Sequence, residues 1–251
     1  MFEDLSRRRR RSSEDHITGL PDELLHEILA RLGSATAAAR TSVLSRRWRH
    51  LWTHLPDLVL DDDGTVPIAP PPATFLETVD AALAGYSGPT LERLVISTSR
   101  DHGVPIPLRR VARWLRSAAG RVAGELCIHI RRQRRYWEVD CEVDLPTCER
   151  ARSIVLFLPD HWKLRLPAAG SFAAVTSMTL RCGWMSGSEL TTFVTTRSPS
   201  LRELNLCTKL VALCDVSYSS LRSDSLQSLW FNVRNVKELE VVAPRLELLV
   251  V

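Results

Sequence analysis

The sequence predicts an α/β protein in which an N-terminal three-helix unit precedes an irregular solenoid of strand-containing repeats. Two patterns carry this prediction. Apolar residues stand at helical spacing in residues 20–52, and apolar residues that alternate as in a strand recur through residues 91–251. An acidic and proline-rich stretch lies between the two patterns. The chain has 251 residues, 45% of them apolar and 25% charged, which is the balance of a globular protein with a buried core.

The first helix is predicted over LPDELLHEILARL, residues 20–32. Pro21 suits the first helical position, because the N–H that proline lacks would have no helical partner there. The acidic Asp22 and Glu23 suit the positive end of the helix dipole, and Gly33 favours a stop. The apolar residues form one face at the 3.6-residue period of a helix, namely Leu20, Leu24, Leu25, Ile28, Leu29 and Leu32.

Two shorter helices are predicted to follow. Residues 35–44 are rich in alanine, which favours a helix at little entropic cost. A third helix carries Trp48, Leu51 and Trp52, and it ends before Pro56, because a residue that precedes proline is pushed out of the helical region. The three helices hold more large apolar side chains than so small a unit can bury within itself, so we expect a partner to cover the excess.

The composition divides the chain into four segments. Residues 1–14 contain five consecutive arginines and are predicted to form a disordered basic tail, because they bury nothing that could order them. A solvated leader is favoured there over a nuclear-import or nucleic-acid patch. The helical unit occupies residues 15–60, residues 61–72 form the linker, and residues 73–251 form the repeats.

The repeats share the pattern apolar-x-x-apolar-x-apolar, whose alternation is that of a strand. Its middle members recur at intervals of 24 to 32 residues, which is typical of leucine-rich repeats with irregular turns. Helices are predicted between them at Leu108–Ala119 and 188–196. The six segments are Leu91/Leu94/Ile96, Ala123/Leu126/Ile128, Ala151/Ile154/Leu156, Val175/Met178/Leu180, Leu201/Leu204/Leu206 and Leu226/Leu229/Phe231.

Two further segments, around Leu239 and Leu249, follow at intervals of only ten residues, which is too short for one solenoid turn each. We predict that they lie on alternate sides of one turn, which places Leu229 and Leu249 about one repeat apart. Because no polar capping repeat follows Val251, we also expect either a product truncated at its C-terminus or an end that a partner covers.

Several classes of function are not supported by the sequence. No apolar run approaches the roughly 20 residues of a membrane span, and the N-terminus lacks the apolar core of a signal peptide. The six cysteines show no CxxC spacing and no HExxH motif accompanies them, so we expect reduced thiols and no metal site. No GxSxG motif or glycine-rich phosphate loop occurs, so we expect no catalytic residues and no cofactor.

Arginine accounts for most of the positive charge, and the formal net charge is +4. Arg109, Arg110, Arg113 and Arg116 stand at helical spacing, and residues 131–135 hold four more arginines. Binding to phosphates would require these residues on one continuous face. Solvated helix faces are favoured, and we do not expect nucleic acid or a membrane as a partner.

Residues 15–32 (DHITGLPDELLHEILARL) and 41–52 (TSVLSRRWRHLW) resemble the F-box, in the form found in plant F-box/leucine-rich-repeat proteins. The resemblance continues more loosely over the repeats, including LEVVAPRL at 239–246. It implies a substrate receptor of an SCF-type cullin–RING ubiquitin ligase. In such a receptor the F-box binds a Skp-type adaptor, the adaptor bridges to a cullin, and the repeats bind the protein that is ubiquitylated. Members of the group often carry a further C-terminal region, which this sequence does not reach.

The resemblance also implies which side chains face the adaptor. Leu20, Ile28 and Trp48 are expected to anchor the contact, because burial of a large apolar side chain contributes roughly 1.5–3 kcal/mol. Leu25 and Leu29 could instead face inward, and the sequence leaves this open. The matching positions are Leu20, Pro21, Leu24, Ile28, Leu32, Leu44 and Trp48.

On the repeats, the residues between the inward apolar positions of each strand predict one exposed stripe. Glu203, Asn205 and Trp230 are the candidate target-binding residues within it. Trp230 is the most informative, because a large exposed aromatic residue often marks recognition, although a neighbouring loop could cover it. The stripe consists of Arg93 and Val95, Glu125 and Cys127, Ser153 and Val155, Ser177 and Thr179, Glu203 and Asn205, and Ser228 and Trp230.

These observations predict a non-catalytic substrate-recognition subunit that works in the cytoplasm, the nucleus or both. Its expected partners are the Skp-type adaptor, a cullin reached through that adaptor, and a target protein. The alternative is a truncated, non-degradative scaffold that occupies the adaptor without delivering a target.

Overall fold

The structure is a computed structural model, and it describes residues 20–31, 51–62, 75–98, 106–130, 141–211 and 218–251. The described fold is mixed α/β and consists mostly of strands. The α-helices are α1 (Asp22–Arg31), α2 (Phe75–Gly85), α3 (Leu108–Ala119) and α4 (Gly187–Thr192), with a 3-10 helix at Trp52–His54 and a π-helix at Phe193–Arg197. The strands are β1 (Asp57–Asp61), β2 (Leu91–Thr98), β3 (Val122–Ile130), β4 (Cys141–Asp144), β5 (Ser153–Phe157), β6 (Trp162–Arg165), β7 (Ser177–Ser186), β8 (Glu203–Val211), β9 (Tyr218–Arg222), β10 (Ser228–Arg234), β11 (Glu238–Val242) and β12 (Leu248–Val250).

One parallel sheet organises the described part of the chain. Its strand order is β1-β2-β3-β5-β7-β8-β10-β12, and β6, which carries β4 on its other edge, also pairs with β7. The apolar residues of successive repeats stand in register, so each repeat adds one layer to a continuous core. One such row is at most 1% exposed and consists of Leu94, Leu126, Ile154, Met178, Leu204 and Leu229.

All eight predicted strand segments contain a strand, so this part of the sequence analysis is confirmed. Four strands were not predicted, namely β1, β4, β6 and β9. These strands have only four or five residues each and offer few alternating positions, so a period of two is hard to distinguish from chance in them. β4 and β6 pair with each other, and β6 is joined to β7 through Lys163 and Leu164.

The two closely spaced segments at the end belong to different sheets. β12 pairs with β10, with Leu249 directly opposite Leu229. β11 pairs instead with β9, in a separate two-stranded sheet. The interval of ten residues therefore separates two strands of different sheets, and their placement on two sides of one solenoid turn stays a prediction.

The helices between strands agree in part with the sequence analysis. α3 has the predicted bounds, and α4 with the following π-helix covers the predicted 188–196 segment. The Ser186 hydroxyl accepts a hydrogen bond from the Glu189 backbone N–H at 3.4 Å, which caps α4. α2 was not predicted.

Of the three predicted N-terminal helices, the described residues contain α1 and the end of the third, up to the 3-10 helix. The second helix, at 35–44, lies outside them, as do the basic tail and most of the linker. The three-helix arrangement, the solenoid path and the segment boundaries stay predictions. β1 begins inside the predicted 15–60 unit, and it pairs with β2 of the repeat sheet.

Tyr86 connects the end of the N-terminal unit to the first repeat through hydrogen bonds. Its hydroxyl is 3.0 Å from the Leu55 carbonyl oxygen and 2.9 Å from the Thr90 carbonyl oxygen, and it can donate its proton to either. The Thr53 carbonyl oxygen accepts from the backbone N–H groups of Ser87 and Gly88, each at 3.0 Å. Burial raises the pKa of Tyr86, so the phenol stays protonated as a donor at neutral pH.

Replacing Tyr86 by phenylalanine is expected to lower the free energy of unfolding by about 1–2 kcal/mol, because buried carbonyl groups lose their donor while the ring packing is kept. Denaturant unfolding of the full chain measures this. Ser87→Ala is the control: it removes an exposed hydroxyl bond to the Gly85 carbonyl oxygen and should cost about 0.5 kcal/mol or less. Equal midpoints for wild type and Tyr86→Phe would show that this junction does not contribute to stability.

Candidate functional site

α1 presents an exposed apolar pair. Pro21 stands just before the helix, and its carbonyl oxygen accepts a hydrogen bond from the Leu25 N–H at 3.2 Å. Leu24 and Ile28 are four residues apart, so they lie on one face of the helix, and they are 46% and 41% exposed. Large apolar side chains exposed side by side on a short helix are typical of a surface that another molecule covers.

The opposite side of α1 packs inward. Leu25 is fully buried with Leu51 and Leu55, and Leu20 is half-buried against this cluster. The question that the sequence left open for Leu25 is thereby answered, since its side chain faces the protein's own core. Leu20 uses part of its apolar surface in the same cluster.

The structure describes four of the seven predicted adaptor-facing residues: Pro21, Leu24 and Ile28 are exposed, whereas Leu20 is half-buried in the inward cluster. Leu32, Leu44 and Trp48 lie outside the described residues, as does the side chain of Leu29. The adaptor-facing role of all seven residues stays a prediction.

The predicted exposed stripe lies on one side of the parallel sheet, which we call the open face. It consists of the strand residues whose side chains alternate with the buried ones. Two rows in register run across it from β2 to β10. The first row is Arg93, Glu125, Ser153, Ser177, Glu203 and Ser228, and the second is Val95, Cys127, Val155, Thr179, Asn205 and Trp230.

The three candidate target-binding residues are close together on the open face. Asn205 and Trp230 are directly paired on neighbouring strands, and Glu203 is paired with Ser228. Trp230 is 49% exposed, so no loop of the described residues buries it. Glu203 accepts a hydrogen bond from the Ser177 hydroxyl at 3.0 Å, which fixes its carboxylate within the first row.

Other charged groups of the sheet are paired. The Arg93 guanidinium donates to the Glu125 carboxylate at 2.9 Å, across β2 and β3. On β4 and β6, Lys163 donates to Glu142, and this hydrogen bond holds the pKa of Glu142 below its usual range. These are exposed pairs, which contribute little to stability.

Sequence reasoning missed a cleft where β7, β8 and β10 continue past the predicted stripe. We call it the basic cleft, because its wall carries the cationic Arg181, Lys209 and Arg234. Its volume is about 390 Å³, and Asp160 and Asn232 also line it. The strand pattern could have suggested it, because Arg181, Lys209 and Arg234 continue the series of outward-facing positions on β7, β8 and β10. The predicted stripe, however, contained only two such positions on each strand.

Two buried thiols of the described residues, Cys148 and Cys182, are unsuited to nucleophilic chemistry. Burial raises the pKa of Cys148 to about 12 and that of Cys182 to about 11, so both stay protonated at neutral pH. Within the described residues, no group of three or more histidine, cysteine, aspartate or glutamate side chains is placed to hold a metal ion. No described helix is both long enough and apolar enough to cross a membrane.

Comparisons with known proteins agree with both sequence patterns, the helical one near the N-terminus and the repeating one that follows it. Residues 17–60 match the F-box domain model, and residues 111–251 match the family model described as "FBD-associated F-box protein At5g56370, LRR repeats". No solved structure matches the chain.

Three of the curated relatives are proteins of Arabidopsis thaliana. "F-box/LRR-repeat protein 13" is 32% identical over 142 residues, which are 57% of this chain and 30% of that protein. "F-box protein At5g03100" is 34% identical over 109 residues, which are 43% of this chain and 31% of that protein. "F-box/LRR-repeat protein 25" is 52% identical over 48 residues, which are 19% of each chain. The first two matches thus span less than a third of the relatives' own length.

The repeat model alone covers more than half of the chain, and the F-box model covers the segment that contains α1. The chain therefore belongs to the plant family of F-box proteins with leucine-rich repeats.

Proposed function

We propose that the chain is the substrate-recognition subunit of an SCF-type cullin–RING ubiquitin ligase. Its F-box binds a Skp-type adaptor, the adaptor connects it to a cullin, and the open face of the repeat sheet binds the protein to be ubiquitylated. The chain performs no chemistry itself in this role. Its place of work is the cytoplasm, the nucleus or both.

The observation that carries the proposal is the exposed pair on α1 within the segment that matches the F-box. Leu24 and Ile28 are more than 40% exposed, while Leu25 between them is fully buried. The helix is thus held to the protein by one side and offers an apolar stripe on the other. Covering such a stripe stabilises a complex by about 25 cal/mol for each Å² of apolar surface removed from water.

The position of β1 supports a fixed connection between the two binding surfaces. The 3-10 helix and most of β1 lie within the segment that matches the F-box, β1 pairs with β2, and Tyr86 bonds to this connection. A target held on the sheet would therefore stay at a defined distance from the adaptor, which is what a receptor that positions a substrate requires.

The test of the proposal is formation of a complex by the full chain, a Skp-type adaptor and a cullin. We expect the three to elute together in equal amounts on size-exclusion chromatography. Elution of the chain apart from the adaptor at micromolar concentration would contradict the proposal.

Trp230→Ala tests the target side. We expect it to remove target proteins from an affinity purification while adaptor recovery is unchanged, because the exposed ring contributes contact area rather than core packing. The measurement is quantitative mass spectrometry of the purified complexes. Val242→Ala, an exposed apolar residue of β11 in the other sheet, is the control and should change nothing. The same set of proteins with Trp230→Ala as with wild type would count against the open face as the target surface.

A further inference from the structure

The basic cleft is placed on the open face by the strand register. Arg181, Cys207 and Asn232 form one row across β7, β8 and β10. Trp184, Lys209 and Arg234 form the next row. Neighbouring strands are about 4.8 Å apart, so the three cations lie within one small patch.

Two of these cations are direct neighbours. Lys209 and Arg234 are paired residues of β8 and β10. Like charges directly opposite each other destabilise a sheet. Lys209 is held by a cation–π contact, with its Nζ 4.7 Å from the centre of the Trp184 ring, rather than by an acid.

In the described part of the chain, the three cations also lack ionic partners. Among the described residues, no carboxylate lies within ion-pair distance of Arg181, Lys209 or Arg234, whereas Arg93 and Lys163 each have one. Asp160 is the one acidic side chain that lines the basic cleft among these residues. The Cys182 thiol, which also lines it, stays neutral because burial raises its pKa to about 11. The described residues that line the basic cleft therefore carry a net positive charge.

A bulge and a glycine shape the basic cleft. The pairing of β7 with β8 slips between Arg181 and Trp184, so β7 has one extra residue there. At Gly183 a Cβ atom would stand 2.1 Å from the Asp160 carbonyl oxygen, so only glycine lets the turn before β6 approach β7 so closely. The resulting cleft of about 390 Å³ keeps its three cations close together, whereas a nucleic-acid site would need cations along a longer track.

The basic cleft is continuous with Trp230. Trp230, Asn232 and Arg234 are alternate residues of β10, and all three are exposed on the open face. Arg234 is four positions after Trp230, which corresponds to roughly 13 Å along an extended strand.

We propose that Trp230 and the basic cleft together bind an extended acidic segment of the target protein. An apolar side chain of that segment packs on Trp230, and aspartate or glutamate carboxylates about four residues away bind Arg181, Lys209 and Arg234. Guanidinium groups suit this role, because their planar donors match both oxygens of a carboxylate. This inference rests on the proposed function, since it assigns the chemistry of the target that the receptor takes.

The test is direct binding of labelled peptides to the full chain, without adaptor. One short peptide carries a leucine four residues from a pair of glutamates, and its matched control has glutamines in their place. We expect the glutamate peptide to bind at least about tenfold more tightly, because charge-assisted hydrogen bonds are the stronger kind. The Arg181→Gln/Arg234→Gln variant should lose this preference, and added salt should weaken it.

Arg202→Gln/Arg222→Gln is the matched control, since it removes two exposed arginines that do not line the basic cleft. It should keep the preference, and unfolding midpoints equal to wild type show that both variants are folded. Equal binding of the two peptides, including no binding of either, would overturn the inference. So would an equal loss of the preference for the glutamate peptide in Arg181→Gln/Arg234→Gln and in Arg202→Gln/Arg222→Gln.

Two further binding measurements test whether the basic cleft takes a different ligand. Inorganic pyrophosphate or a single-stranded oligonucleotide that binds more tightly than the glutamate peptide, and loses binding in Arg181→Gln/Arg234→Gln, would overturn the acidic segment as the ligand. Because adaptor binding is measured separately, a negative peptide result with adaptor bound removes only this inference. A chain that binds the glutamate peptide but no adaptor contradicts the proposed function instead.

Discussion

Replacing Leu24 and Ile28 together by alanine is expected to weaken binding to a Skp-type adaptor by about 100-fold, because truncation of a central interface residue commonly costs more than 1 kcal/mol. Both side chains are exposed in the chain alone, so the variant should unfold at nearly the same denaturant concentration as wild type. Isothermal titration of the full chain with the adaptor measures the change.

Two controls make this result specific. Leu248→Ala/Leu249→Ala removes a second pair of exposed leucines, 46% and 48% exposed on β12, and should leave the adaptor affinity unchanged. Leu25→Ala truncates a buried neighbour on α1 and should instead lower the free energy of unfolding by about 2–5 kcal/mol, because it leaves a cavity that the surrounding residues fill only in part. Equal affinity for the adaptor in wild type and Leu24→Ala/Ile28→Ala would place the interface elsewhere.

The largest expected effect on stability is that of Trp114→Ala in α3. Trp114 is fully buried, and its indole Nε1–H donates to the Asp80 carboxylate of α2 at 2.7 Å. Removing a buried tryptophan costs about 3–5 kcal/mol. The loss is a large fraction of the free energy of unfolding of a whole domain, which is roughly 5–15 kcal/mol, so denaturant unfolding should detect it readily.

Trp114→Phe separates the packing from the hydrogen bond. It keeps most of the buried ring and leaves Asp80 without the indole donor, although Arg110 and Arg113 remain 3.6 and 3.9 Å from that carboxylate. We expect a loss of about 1.5–3 kcal/mol, smaller than for alanine. The phenylalanine variant still measures the α2–α3 contact if the alanine variant fails to fold. A Trp114→Ala variant within about 0.5 kcal/mol of wild type, the range of ordinary surface substitutions, would show that the α2–α3 contact is not part of the core.

The sequence predicted the repeat sheet well because its signal is periodic. Apolar residues at the same offsets in each repeat form the buried rows, and Leu249 lies opposite Leu229 as expected. The bounds of α3 were predicted for the same reason, since it presents a clear helical period. Trp230 was identified because an aromatic residue at an outward strand position is conspicuous in this pattern.

The features that could not be predicted depend on contacts between segments. The direction of Leu25 is set by Leu51 and Leu55, which are far along the chain. The basic cleft depends on how β7, β8 and β10 align after the bulge at Cys182 and Gly183, and a pattern within one strand does not contain that alignment. The pairing of β4 with β6 likewise follows from tertiary contacts, because each has only four residues.

The central claim is that α1 and the open face bind two different partners and that the chain joins them for ubiquitin transfer. The most direct measurement is ubiquitin conjugation to a captured partner in a reconstituted mixture of the full chain, the Skp-type adaptor, a cullin and its RING subunit. The account predicts conjugates on that partner with wild type. With Leu24→Ala/Ile28→Ala it predicts no conjugates, although the partner still binds. A partner that stays unmodified while both it and the adaptor are bound to the wild-type chain would contradict the account and would favour a scaffold that occupies the adaptor without delivering a target.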